Sequence, residues 1–191
     1  MILSWITYGL LVLLILFGGK FAFGKNKFND DFLSLDVTKS LRGLAAIGVI
    51  LHHISQEGAF QKVRELSPFV NAGFYFVAIF FFCSGFGLIK SLKSKENYLK
   101  GFLGKHLTPI IILCLLVNCE FYYVGKVFSP YTWYINAIVI LYVLFYCSFR
   151  FVKNDVASIC FVALGVLIYS FVCNWLVLGV WWYNTAFLFL I

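Results

Sequence analysis

Charge is scarce in this sequence. Asp, Glu, Lys and Arg make up 12% of its 191 residues, about half their usual share in a soluble domain. A disordered chain needs charge and polarity in place of a core, so that class is excluded. An ordinary soluble domain is excluded as well: 62% of the residues are hydrophobic and 20% aromatic, more apolar surface than one core of this size can hide. There is no CxxC pair and no Cys–His cluster at metal-ligand spacing, so the usual signs of a metal site are missing. All six cysteines (Cys83, Cys114, Cys119, Cys147, Cys160 and Cys173) lie in apolar runs and read as small hydrophobes at helix interfaces. Internal repeats, low-complexity tracts and a soluble domain are also lacking. The net charge of +7 could suggest nucleic acid, but the placement of the charges argues otherwise.

What the chain has instead is uncharged runs. A membrane-spanning helix needs about 20 mostly apolar residues. Met1–Gly19 is uncharged for 19 residues, lacks the positive start of a signal peptide and reads as a retained anchor. Gly43–Gln56 is a run of 14 that can cross if Arg42 snorkels. Leu66–Ile89 has 24 residues, His106–Gly125 has 20 broken only by Glu120, and Val127–Phe149 has 23. Val156–Ile191 is a run of 36 with its expected break at Asn174 or Leu178–Gly179. The sixth span then covers Val156–Cys173, and a seventh starts near Val180. The expected fold is an all-α polytopic transmembrane helix bundle with about six complete spans plus a partial seventh. Residues 1–34 form an N-terminal anchor and cytoplasmic loop, and residues 35–191 form the main transmembrane domain. With no polar residue closing the last helix, the chain reads as C-terminally truncated.

The loops test this division. Twelve of the 15 Lys and Arg residues fall in odd-numbered loops, as the positive-inside bias requires. The expected topology has the N-terminus outside and the odd loops in the cytoplasm. The basic charge is thereby explained by orientation in a lipid bilayer, with no nucleic-acid partner.

Ionisable groups at membrane depth are costly, so each is a functional candidate. The richest stretch runs from Leu35 to His53. Eleven residues separate Arg42 from His53, which leaves them about 20° apart on a helix and about 16 Å apart along its axis, whereas His52 points about 80° away from Arg42. One face thus carries a guanidinium near one end and an imidazole in the apolar interior. Gly43, Ala45, Ala46 and Gly48 let other helices come close. An imidazole is suited to removing a hydroxyl proton near neutral pH, and a guanidinium to holding phosphate. The same spacing also fits a helix anchored by Arg42 whose histidines make buried hydrogen bonds.

The segment Lys39-Ser40-Leu41-Arg42-Gly43-Leu44-Ala45, with His53 eleven residues after the arginine, resembles the opening motif of the acyltransferase-3 family. His53 fits that register and His52 does not. Phe80-Phe81-Phe82-Cys83-Ser84-Gly85-Phe86 resembles the family's Phe-Phe-x-x-Ser-Gly-Phe segment. Lys100 to Pro109, with Lys105 and His106, stands where the family has a basic stretch ending in proline. Trp133-Tyr134 and Trp181-Trp182-Tyr183-Asn184 resemble the starts of later helices. The resemblance covers about Leu35–Ile191. It departs in having Lys105 and His106 in place of arginines, and in having a helix before the Arg–His helix. It also stops at a seventh helix where family members have about ten.

The resemblance implies an integral-membrane acyltransferase of the bacterial plasma membrane. It moves an acyl group, acetyl in the first place, from acyl-CoA to a hydroxyl of a cell-envelope glycan, with no bound cofactor and no metal. His53 would be the general base, and Arg42 with Lys105 would hold the donor phosphates. Ser84, Lys39 and Glu120 would support them. Each supporting residue also has a plainer reading: Ser84 as an interhelical hydrogen bonder, Lys39 as part of a solvated cap with Asp36, and Glu120 as an interfacial residue beside Tyr122 and Tyr123. Asn118, Asn136 and Asn174 are expected to bond between helices, and His106 to belong to a positive loop. Two other classes fit the residues: a transporter using His53 and Arg42, which would show inverted repeats, and an inactive membrane fragment.

Overall fold

A computed structural model describes residues 29–60, 62–123 and 133–190, with isolated positions 6, 9, 12 and 13; the side chains of Val117 and residues 120–123 lie outside that description. Apart from those isolated positions, the expected first span, Met1–Gly19, falls outside it, as does the fourth loop. Among the described residues all regular structure is helical. The α-helices are α1 (Leu35–Gln56), α2 (Gly73–Ser94), α3 (Phe102–Tyr123), α4 (Trp133–Phe151) and α5 (Asp155–Trp175). Short 3-10 segments cover Arg64–Phe69, Val180–Trp182 and Ala186–Leu190. The chain divides into two compact units, Met1–Phe76 and Val77–Ile191.

Among the described residues, three helices, α2, α4 and α5, are long and apolar enough to cross a membrane. At 22, 19 and 21 residues they measure about 28–33 Å, matching a hydrocarbon core of about 30 Å. This is the apolar helical membrane architecture expected, with three of the expected spans supported among the described residues. The partial seventh helix is not what forms. Asn184 and Thr185 compete with helical hydrogen bonding, the Tyr169 hydroxyl donates to the Trp182 carbonyl at 2.9 Å, and the chain past Gly179 makes only the two 3-10 segments.

The end of α5 shows why the long uncharged run divides. The Leu178 amide donates to the Cys173 carbonyl and the Val177 amide to that of Asn174, both at 3.0 Å. This is the paired bonding of a Schellman stop, which needs a left-handed residue after the helix. Val177 fills that position at φ 57°, a conformation that costs a β-branched residue roughly 1–2 kcal/mol.

In the second unit, α4 buries Ala137, Ile138, Leu141, Phe145 and Ser148, and α5 buries Ser158, Val162, Val166, Tyr169 and Cys173. Both sets recur at three and four residues, one stripe per helix. The opposite face of α5 carries exposed Leu164, Leu167, Ile168 and Phe171, as a lipid-facing helix should. Between lipid and a helix there is no hydrophobic driving force, so these stripes are held by close packing and interhelical bonds. The turn between α4 and α5 is closed by such bonds. Asn154 caps α5 by accepting from the Ala157 amide at 3.0 Å, and the buried Ser158 hydroxyl reaches the carbonyls of Ser148 and Val152 at 3.3 Å. The six cysteines are free thiols; Cys83 and Cys173 are buried, and Cys119 and Cys160 are exposed.

Candidate functional site

The first unit is organised by α1. Ser34 caps it, its hydroxyl accepting from the Val37 amide at 3.4 Å, and Asp36 stands in the first turn at the positive end of the helix dipole. The buried Thr38 hydroxyl bonds the Ser34 and Leu35 carbonyls at 2.9 and 3.1 Å. Arg42 is half-buried, and its Nε donates to the Thr38 carbonyl at 3.3 Å. That bond fixes the side chain back along the helix and leaves the terminal guanidinium nitrogens to bind elsewhere. Lys39 and Asp36 are both exposed, as a solvated cap requires.

His53 is half-buried. Its place on the helix differs from the expected apolar interior. Because the Ser34 cap starts the helix at Leu35, eight residues ahead of the uncharged run, Arg42 lies about 10 Å inside α1, whereas His53 falls in the last turn, three residues or about 4.5 Å from its end. The two remain on one face about 16 Å apart.

His52 has separate work. Its Nδ1 lies 2.8 Å from the Phe69 carbonyl. A carbonyl only accepts, so Nδ1 carries the proton. The ring also fills the space beside Gly73, where any Cβ would overlap it. The Gln56 amide reaches the Val70 carbonyl at 3.5 Å, and Phe69 stacks against Phe76 with centroids 6.4 Å apart. The end of α1 that bears the histidines is thus tied to the Arg64–Phe69 turn. Of the small residues expected to admit neighbours, Ala45 and Gly48 are buried, and a Cβ on Gly48 would lie 2.5 Å from the Phe76 ring. Gly43 is exposed, with nothing among the described residues within 4 Å of its Cβ position.

In the second unit, Ser84 is half-buried on α2 between buried Cys83 and Gly85. The Phe189 backbone lies where a Gly85 Cβ would stand. Fully buried Phe81 packs against Tyr134, centroids 5.2 Å apart, and the Lys90 ammonium sits 5.6 Å over the Phe86 ring, within cation–π range.

Lys105 is exposed in the first turn of α3. Pro109, inside that helix, has no N–H, so the Lys105 carbonyl loses its usual donor four residues on. His106 corrects its expected place in a charged loop: it is half-buried and helical, with Nε2 3.2 Å from the Tyr98 hydroxyl. Its ring lies 4.6 Å from that of Phe102 and 6.1 Å edge-on from Tyr142. Burial pushes the Tyr98 hydroxyl above its ordinary pKa, so Tyr98 keeps its proton. Sequence reasoning missed this aromatic cluster, and no spacing signal announces it; the packing of Phe102 against Phe145 and Tyr146 creates it.

Glu120 falls in the last turn of α3, its side chain outside the described residues. The Asn118 amide bonds the Cys114 carbonyl of its own helix at 2.9 Å, rather than a neighbouring helix alone. Asn174 accepts from the Tyr183 hydroxyl at 3.5 Å, tying the end of α5 to the segment beyond it. Among the described residues no group of three or more His, Cys, Asp or Glu gathers as a metal site would. Arg42, Lys39 and His53 are therefore brought onto one helix, whereas Ser84, Lys105 and Glu120 belong to the other unit.

Residues 32–191 match the profile of the Acyl_transf_3 family, described as an acyltransferase domain. No curated protein and no solved structure matches the chain.

Proposed function

Because the chain belongs to the acyltransferase-3 family of membrane acyltransferases, we propose that it transfers an acyl group, acetyl in the first place, from acyl-CoA to a hydroxyl of an envelope glycan outside a bacterial plasma membrane. The observation that carries this reading is the shared face of Arg42 and His53. His52 is bonded to the Phe69 carbonyl, whereas the eleven-residue spacing puts His53 about 20° from Arg42 round the helix.

The chemistry follows from the groups. His53 takes the proton of the acceptor hydroxyl as its oxygen forms a bond to the thioester carbon. The C–S bond then breaks, and the thiolate leaves with the proton that His53 gives back. Arg42, its Nε engaged by Thr38, offers its terminal N–H groups to a donor phosphate. Lys105, exposed at the start of α3, is assigned to donor phosphate as well, and Ser84, Lys39 and Glu120 to supporting roles. The orientation in this reading has the N-terminus outside and the α2–α3 turn in the cytoplasm.

The test is transfer of labelled acyl groups from acyl-CoA to envelope glycan in membranes carrying the chain. His53→Ala is expected to lower transfer by about 10²–10⁴-fold, the range of a lost general base, with Arg42→Ala raising the donor KM. Unchanged transfer by a folded His53→Ala protein overturns the reading.

A further inference from the structure

A groove of about 390 Å³ runs between α4 and α5 on the outside of the second unit. Ile140 and Leu144 form one wall, and Phe161, Leu164, Ile168 and Val172 the other. Its floor is Gly165, where a Cβ would stand 2.7 Å from the Leu144 side chain. Leu164 and Ile168 are more than half exposed, on a helix apolar enough to span a membrane. From Phe161 to Val172 is eleven residues, so the groove is about 16 Å long, close to the depth of one leaflet's hydrocarbon.

One end of the groove is charged. Leu144 lies six residues before Arg150, and Phe161 six residues after Asp155, about 9 Å along each helix. Arg150 closes α4 and Lys153 stands in the turn that follows; both are exposed. Between them Phe151 is 75% exposed. It lies about 20° from Leu144 on the helix wheel, at the groove's own mouth. Arg150 lies about 120° from Leu144 on the same wheel, so it is the length of its side chain that can bring its cation back to that mouth, and Lys153 stands in the turn beyond. Among the described residues, the other end, toward Val172 and Trp175, has no cation. A long apolar trough with an aromatic ring at its mouth and two cations past it matches one class of molecule: a hydrocarbon chain that ends in an anion.

We propose that the α4–α5 groove is a binding site for one anionic glycerophospholipid, its acyl chain along Leu144, Leu164 and Ile168 and its phosphate at Arg150 and Lys153. The groove explains depth and direction, and the cations explain the choice of headgroup. Asp155, also exposed at this mouth, offsets part of the attraction and keeps the site selective rather than strong. This inference is independent of the acyl-transfer reading, since no residue of the groove takes part in it.

The test uses the full chain purified in mild detergent, with lipid retention read by native mass spectrometry against equimolar phosphatidylglycerol and phosphatidylcholine. The wild-type chain is expected to keep one phosphatidylglycerol about tenfold in preference, the size expected for two partly offset cations at a membrane surface. Arg150→Ala with Lys153→Ala removes the preference. Leu164→Trp fills the trough and removes retention of either lipid with the cations intact. Equal retention of the two lipids by the wild-type chain, or wild-type retention by both variants, overturns the proposal. A phosphatidylglycerol carrying a photoactivatable diazirine at mid-chain gives a readout needing no variant. Its adducts are expected on Leu144, Leu164 and Ile168, and adducts spread evenly over exposed Ile159, Leu167 and Phe171 overturn it.

Discussion

Gly85 and Gly87 sit two residues apart on α2, and replacing each with alanine should have opposite effects. At Gly85 a Cβ would overlap the Phe189 carbonyl and stand 2.8 Å from its carbon and 3.2 Å from its Cα. Those are backbone atoms of a residue only 4% exposed, so no side-chain rotation relieves the contact. Overpacking a filled site costs about 1–3 kcal/mol, and an unyielding backbone puts this case at the upper end. The usual gain from Gly to Ala in a helix, about 0.5–1 kcal/mol, recovers part of it, leaving a net loss of about 2 kcal/mol. At Gly87 nothing among the described residues lies within 4 Å, so only the gain remains. The two alanines should thus differ by about 3 kcal/mol, Gly85→Ala unfolding first and Gly87→Ala matching or exceeding wild type. Far-UV circular dichroism during thermal unfolding in detergent measures both. Equal stability of the two variants would refute the packing of α2 on the Ala186–Leu190 segment, and with it the structural meaning given to the glycine of the Ser-Gly-Phe motif.

The neighbouring histidines should separate cleanly. His52→Ala leaves the Phe69 carbonyl without its donor and costs about 1–3 kcal/mol of stability, while acyl transfer per folded molecule stays near wild type; lost transfer at unchanged stability would reverse the roles given to His52 and His53. Tyr98 makes stability fall with alkali. Its folded pKa is raised from 10.0 by burial, so above about pH 10 the unfolded chain releases a proton that the folded chain retains, and stability declines as pH climbs through the folded value. Tyr98→Phe should abolish that part of the decline in a denaturation series from pH 9 to 11.

The helices were legible because uncharged runs and their charged borders report membrane depth directly. The sixth run was expected over Val156–Cys173, and α5 covers Asp155–Trp175. The errors lie where local chemistry outruns hydropathy. The helix of Arg42 and His53 reaches past its uncharged run in this way: the Ser34 cap and the dipole-matched Asp36 make its first two turns favourable despite the charges at Asp36, Lys39 and Arg42. Apolar residues after Gly179 suggested a helix, but the Schellman stop at Val177 and the bond from Tyr169 to Trp182 hold that chain in short turns. The register of Arg42 and His53 could be read from spacing alone, because helix geometry is invariant. The Phe69 carbonyl that engages His52, and the aromatic ring set around His106, depend on contacts between elements distant in sequence, which periodicity does not encode.

The spacing of Arg42 and His53 constrains the donor on the proposed reading. A phosphate held at Arg42 and a carbonyl carbon within reach of His53 must belong to one molecule if both groups act in one step, and reacting atoms must approach to about 3–3.5 Å. The helix fixes about 16 Å between the two Cα positions, and the bond from Nε to the Thr38 carbonyl turns the guanidinium away from His53 rather than toward it. The donor therefore needs a long arm between its phosphate and its reactive carbonyl. Acyl-CoA has such an arm, and an acyl phosphate, whose phosphate is bonded to the carbonyl itself, does not. Arg42 can then contribute only by holding the donor, since no developing charge at the carbonyl comes within its reach, while His53 acts on the chemical step. This division of labour is why their substitutions should separate into KM and kcat.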